Sequence, residues 1–180
     1  LAVIWFFLSL LGPFLPPHGL LFLFATITGV IASTMYTWVT MFDSFGPYAC
    51  LPVPVSRIIS GKLMTFTLLQ AVPVLFVASV GILSGETLYA IPAVVLCLAV
   101  SYYAAGIMVW LTGLSPNVLV YDVKVMAIYL VLLGVALTIF SSLAFANPLY
   151  SFASVILFVP AWLFIQKGKV RWDAVEPSGF

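Results

Sequence analysis

The sequence predicts an all-α polytopic membrane protein with six transmembrane helices and both termini on the cytoplasmic side. Three observations carry this expectation. Of the 180 residues, 64% are hydrophobic and only 6% are charged, whereas a soluble domain carries about a quarter charged residues. The apolar residues fall in runs such as IPAVVLCLAV that do not alternate, which leaves helices rather than a closed barrel. Every Lys and Arg falls in alternate connectors between those runs.

A hydrocarbon core about 30 Å thick takes roughly 20 residues of helix. Spans are expected at 1–15, 20–42, 63–83, 88–114, 126–144 and 149–165, within one transmembrane domain over 1–166. A cytoplasmic tail is expected over 167–180. The first span is short, and Leu1 opens inside an apolar run, as a cut element would. LAVIWFFLSLLGPFLPP lacks the basic start and small-residue cleavage site of a secretory signal.

Local punctuation supports these boundaries. Ser115-Pro116 and Asn147-Pro148 each pair a capping residue with proline at the first helical position. Gly85 suits a helix stop, leaving a tight turn over 84–87 and antiparallel neighbours. Pro73, Pro92 and Pro160 fall inside spans, where membrane helices tolerate proline.

Charge then orients the chain. Arg57 and Lys62 lie between spans two and three, Lys124 between four and five, and Lys167, Lys169 and Arg171 after six. Basic residues concentrate in cytoplasmic loops, so this side faces the cytoplasm. Trp5, Trp38, Trp110, Trp162 and Trp172 are expected toward the same side, in keeping with interfacial tryptophan.

The expected membrane interior excludes several functions. No Asp, Glu, Lys or Arg lies deep in a span; His18 and Glu86 fall in outer connectors, and Asp43 at the inner end of span two. A proton relay across the bilayer would need such groups. Nor is there a Ser/His pair, an Asp pair or HExxH for intramembrane proteolysis. A net charge of +1 gives no field for nucleic acid. Cys50 and Cys97 lie far apart without a second ligand nearby, which argues against a disulfide or metal site. Milder polar groups remain in the spans, among them Thr26, Thr28, Ser33, Thr34, Gln70, Ser101, Tyr102, Tyr103 and Thr138. Gln70, Tyr102 and Tyr103 either bond neighbouring helices or line a path for an amphipathic substrate.

The segment LPVPVSRIISGKL over 51–63 breaks this apolar pattern. Its SGKL ending is not a phosphate loop, because Ser56 replaces the first glycine and Leu63 the hydroxyl residue that would meet magnesium. Val55, Ile58, Ile59 and Leu63 form one helical stripe, with Ser56, Arg57 and Ser60 opposite and Lys62 near the membrane surface. A short amphipathic helix in the inner interface, started by Pro52 and Pro54 and leading into span three, is expected. Simple anchoring would suffice to explain it.

The stretch TMYTWVTMFDSFGPYACLPVPVSRIISGKLMTFTLLQ resembles the inner loop of permease subunits of type-2 ABC transporters, closest to archaeal-type members. The matching residues are Leu51, Pro52, Val55, Ser56, Arg57, Ile59, Gly61 and Lys62; with the acidic Asp43 before them and Ile58 among them, they make the coupling loop over 51–62 through which, the resemblance implies, an ATPase drives the spans. The family often has Glu-Arg where this chain has Asp43-Ser44, and Pro54 interrupts its usual Pro-Val-Ser order. LTGLSPNVLVYD, with Asp122 and Lys124, resembles the second inner loop. The resemblance implies a non-enzymatic, multi-pass cell-membrane subunit from a prokaryote, acting more often in export than import. It implies a separate cytoplasmic ATPase partner holding ATP and magnesium, with no cofactor in this chain, and a second permease copy or homologue in the bilayer. A noncatalytic membrane scaffold would have the same spans and remains the alternative.

Overall fold

The computed structural model describes residues 17–42, 54–115 and 118–175. These residues form helices and turns with no strand among them. In chain order the elements are α1 (Pro17–Phe42), α2 (Val55–Leu69), α3 (Ala71–Leu83), α4 (Thr87–Thr112), the single turn α5 (Val118–Tyr121), α6 (Val123–Ala146), a 3-10 segment η1 (Pro148–Leu157) and α7 (Phe158–Val175). Two junctions are nearly continuous, so α2 with α3 and η1 with α7 each act as one rod. Five helical stretches are thus long and apolar enough to cross a membrane. The expected first span, 1–15, lies outside the described residues.

The rods pack around α4, the most buried of the five. Its composition explains the position. Ala90, Ala93, Cys97, Ala99, Ser101, Ala104, Ala105 and Gly106 are all buried and small, so neighbouring backbones come close, as membrane helices require in place of a hydrophobic driving force. A Cβ built on Gly29 of α1 would lie 2.6 Å from the Cys97 carbonyl oxygen. One on Gly106 would lie 2.8 Å from the Ala161 carbonyl oxygen, and one on Gly168 would lie 2.9 Å from that of Val109. Gly81 meets Ala90 in the same way where α3 crosses α4. By contrast α6 and α7 present mostly exposed apolar side chains, such as Leu130, Val131, Val159 and Leu163, on their outer sides.

These contacts make a prediction. Gly106→Val puts two methyl groups against backbone that cannot swing aside, so α4 and α7 must separate. Thermal unfolding should show a loss of about 1–3 kcal/mol. Gly134→Ala on α6, where an added Cβ meets nothing within 4 Å, should leave the midpoint unchanged or slightly raised.

Several expected boundaries shift. The third expected span, 63–83, begins eight residues earlier, because the helix starts at Val55 and runs on without a break at Gly61. The separate interfacial helix of 55–62 is therefore the first two turns of a transmembrane rod. Nothing between Val55 and Leu69 stops the helix; proline precedes it and Gly61 is exposed. At the other end, the expected tail over 167–180 is helical as far as Val175, so the basic residues extend α7 rather than leave it. Asn147 does cap the next element, accepting from the Leu149 amide at 3.0 Å, although the turns that follow are 3-10. Their period of three puts Ser151, Ser154 and Leu157 on one buried stripe. Gly85 ends the α3 rod with a positive φ of 81°, which makes the short turn into α4 possible.

Candidate functional site at the basic end of the bundle

All six Lys and Arg lie at one end of the antiparallel rods: Arg57 and Lys62 near the start of α2, Lys124 at the start of α6, and Lys167, Lys169 and Arg171 in the last turns of α7. The ends of α1 and α4 arrive there too. Helix ends leave backbone groups without intrahelical partners. At this end, side chains from other helices satisfy several of them.

The Lys62 Nζ donates to the Val39 carbonyl at 2.6 Å, in the last turn of α1, where the helix dipole is negative. Asp173 of α7 accepts from the Ser56 amide at 2.8 Å. It thereby caps α2, whose own N-cap position is Pro54 and offers no side-chain bond. The last carbonyls of α4 receive the Trp172 Nε1 on Val109 at 3.1 Å and the Arg171 guanidinium on Trp110 at 3.3 Å. Tyr36 of α1 donates to the Gly113 carbonyl at 3.1 Å. Gly113 has φ +57°, and a Cβ there would lie 2.7 Å from the Trp172 ring. Backbone shape and ring packing therefore both demand glycine at this corner.

The residues expected to form the coupling segment divide across two faces. Val55, Ile59 and Lys62 are buried together with Phe66, Ile58 and Ser56 are half-buried, and Arg57, Ser60 and Gly61 are exposed. Lys62 is thus turned into the bundle rather than away from it. Its stem lies in the buried stripe and its ammonium reaches the end of α1, a reach that its long apolar stem permits. Asp43 and Pro52 lie outside the described residues.

On the second connector, Asp122 caps α6 by accepting from the Lys124 and Val125 amides at 2.8 and 3.3 Å. Sequence reasoning expected a cap at Ser115 but not this one. The signal was the acidic residue directly before the apolar run VKVMAIYL. Asp173 was missed as well, because a cap supplied across helices leaves no local pattern. Lys124 is exposed beside Asp122.

The three mid-span candidates fare differently. The Tyr102 hydroxyl donates to Thr67 of α2 at 2.9 Å and that of Tyr103 to the Leu132 carbonyl of α6 at 3.3 Å, so both tie α4 to neighbours. Gln70 is buried at the α2–α3 junction, and neither polar atom of its side chain has a protein partner. Among the described residues no group of three or more His, Cys, Asp or Glu could hold a metal.

In class, the described residues are all-helical, with five helices among them fit to cross a membrane. Compared with family models, curated proteins and solved structures, it matches none of them.

Proposed function

We propose that this chain is the permease subunit of a type-2 ABC transporter, most simply an exporter in a prokaryotic cell membrane, driven by a cytoplasmic ATPase. In this scheme six spans place both termini inside, and the basic end faces the cytoplasm. A second permease copy or homologue completes the path, while ATP and magnesium belong to the ATPase. The observation that carries the proposal is the continuity of α2 with its span. Arg57, Ser60 and Gly61 form an exposed strip on a helix that continues directly into the membrane-spanning rod. A push on that strip moves a stiff element rather than a linker. Asp173 and Lys62 hold the start of the same rod to α7 and α1, so its displacement is felt by three helices.

The test is to co-purify the chain with the ATP-binding-cassette protein encoded beside it, and to measure ATP hydrolysis and transport in the reconstituted complex. Arg57→Glu changes an exposed side chain, so yield and unfolding midpoint should stay at wild-type values. Transport per ATP hydrolysed should fall several-fold. Normal coupling in this variant would leave the strip as an anchor, and no complex at all would favour a scaffold. Transport by the chain alone, driven by a pH gradient, would exclude a permease of this kind.

Orientation has its own check. In a cysteine-free background, Ser84→Cys and Asn147→Cys should react with an impermeant thiol reagent on intact cells. Ser60→Cys should react only after permeabilisation. Labelling of Ser60→Cys from outside would reverse the assignment.

A further inference from the structure

The serines and threonines of this bundle mostly bond the carbonyl three or four residues back, as Thr26, Ser33, Thr34, Ser60, Thr67, Ser79, Thr112 and Thr138 do. That is the ordinary way to satisfy a hydroxyl in an apolar helix. Thr28 and Ser101 do not follow it. Both are fully buried, and their hydroxyls have no protein partner. Gln70, 3% exposed, adds an amide whose oxygen and nitrogen are equally unpartnered.

Contacts along the helices bring Thr28 and Ser101 each to within about one helical turn of the depth of Gln70. Tyr36 of α1 meets Phe66, and Phe24 meets Phe76, so the middle of α1, with Thr28, lies opposite the Gln70 junction. Gly29 abuts Cys97 and Val100 of α4, one residue before Ser101. Tyr102 meets Phe66 while Ala90 meets Gly81, which sets Ser101 within a turn of Gln70 as well. Helical angles point Thr28 toward α2 and α3, and Ser101 into the seam between those helices and α1. The rod is also locally irregular here, though its course continues. Gln70 is a turn residue between α2 and α3, and Pro73 has no amide hydrogen for the Leu69 carbonyl. Ser154 is unpartnered too, but η1 packs on α4, α6 and α7 and not on this seam.

We propose that Thr28, Gln70 and Ser101 form a binding site, within the membrane-spanning part of the bundle, for a neutral ligand that both donates and accepts hydrogen bonds: water, or the hydroxyl of a small uncharged molecule. The donor set decides the class. Two hydroxyls and an amide offer donors and acceptors in balance. No Asp or Glu lies in the helices that line the seam, so a cation would be buried without a counter-charge, at a heavy desolvation cost. A neutral hydroxyl meets every group without that cost. Helix irregularities at membrane depth are tolerated where the freed backbone is satisfied by such a group. This site does not depend on an ATPase partner.

The test uses the full chain in lipid nanodiscs and the shape-conserving variants Thr28→Val, Gln70→Met and Ser101→Ala, singly and together. If one ligand bridges the groups, each single variant should lower the unfolding midpoint, and the triple variant should recover most of the loss. Removing one partner of a satisfied buried group costs more than removing all of them. Radiolytic labelling in oxygen-18 water should mark Phe66 and Tyr102 beside the site, and Gln70→Met should reduce that label several-fold. Loss of the label on adding glycerol would identify a site open to small polyols, and persistence would identify captive water; both sustain the site. Single variants that each raise the midpoint additively would mean three independent orphans and overturn the proposal. Coupling among the variants without any label would mean that the side chains bond one another directly, which overturns it too.

Discussion

Ile59→Asp is expected to abolish most of the folded protein rather than to produce an intact but uncoupled one. Ile59 is fully buried in α2, in the core that also holds Val55, Tyr36 and Phe66. The substitution removes an apolar side chain whose burial stabilises by about 1.5–3 kcal/mol. It also introduces a carboxyl group whose burial without a partner costs several kcal/mol, whether it stays charged or takes up a proton. Set against a typical total of about 5–15 kcal/mol, that is most of the margin. The yield of monodisperse protein after size-exclusion chromatography should collapse. Ile58→Asp, at a half-buried position one residue earlier, should lose only part of it. Wild-type yield and unfolding midpoint for Ile59→Asp would show that this face of α2 is not core.

The contrast between Ile58 and Ile59 shows where the sequence was legible. Composition, the non-alternating runs and the turn at Gly85 were enough for the five long helical stretches among the described residues, because membrane-spanning length is a property of each run alone. The buried face of α2 was not, since the nine residues of 55–63 were read as a helix of their own. Over so short a window Val55, Ile58, Ile59 and Leu63 make the best apolar stripe. The rod continues through Leu83, however, and as far as Val77 its buried face is Val55, Ile59, Lys62, Phe66, Gln70, Pro73 and Val77. Two of those seven are polar, so hydrophobic periodicity could not find the face. Gln70 was singled out from its place near Pro73, but its burial without a protein partner depends on packing against helices that lie far away in sequence. The cap that Asp173 gives α2 spans 117 positions and has no local trace at all.

Reversing the charge at Lys62 is expected to have the second large effect, because this side chain joins the start of α2 to the end of α1. Its ammonium lies 2.6 Å from the Val39 carbonyl, and the residue is only 6% exposed. Lys62→Glu would turn a carboxylate toward that carbonyl, at the end of α1 where the dipole already disfavours negative charge. Attraction becomes repulsion in a place largely shielded from solvent, so the cost should reach several kcal/mol. Lys62→Met separates shape from charge. It keeps an unbranched stem of similar length and loses the charge-assisted bond, at a cost of about 1.5–3 kcal/mol. Thermal unfolding of purified protein should rank wild type above Lys62→Met, and Lys62→Met above Lys62→Glu. Equal midpoints for Met and Glu would mean that Lys62 matters here as a spacer only. If the proposed coupling holds, Lys62→Met has a second consequence, because the rod would still receive the push at Arg57 but would no longer carry α1 with it. The assembled complex should then hydrolyse ATP at its usual rate while transport falls. A parallel fall in both activities would place the defect in assembly with the ATPase instead.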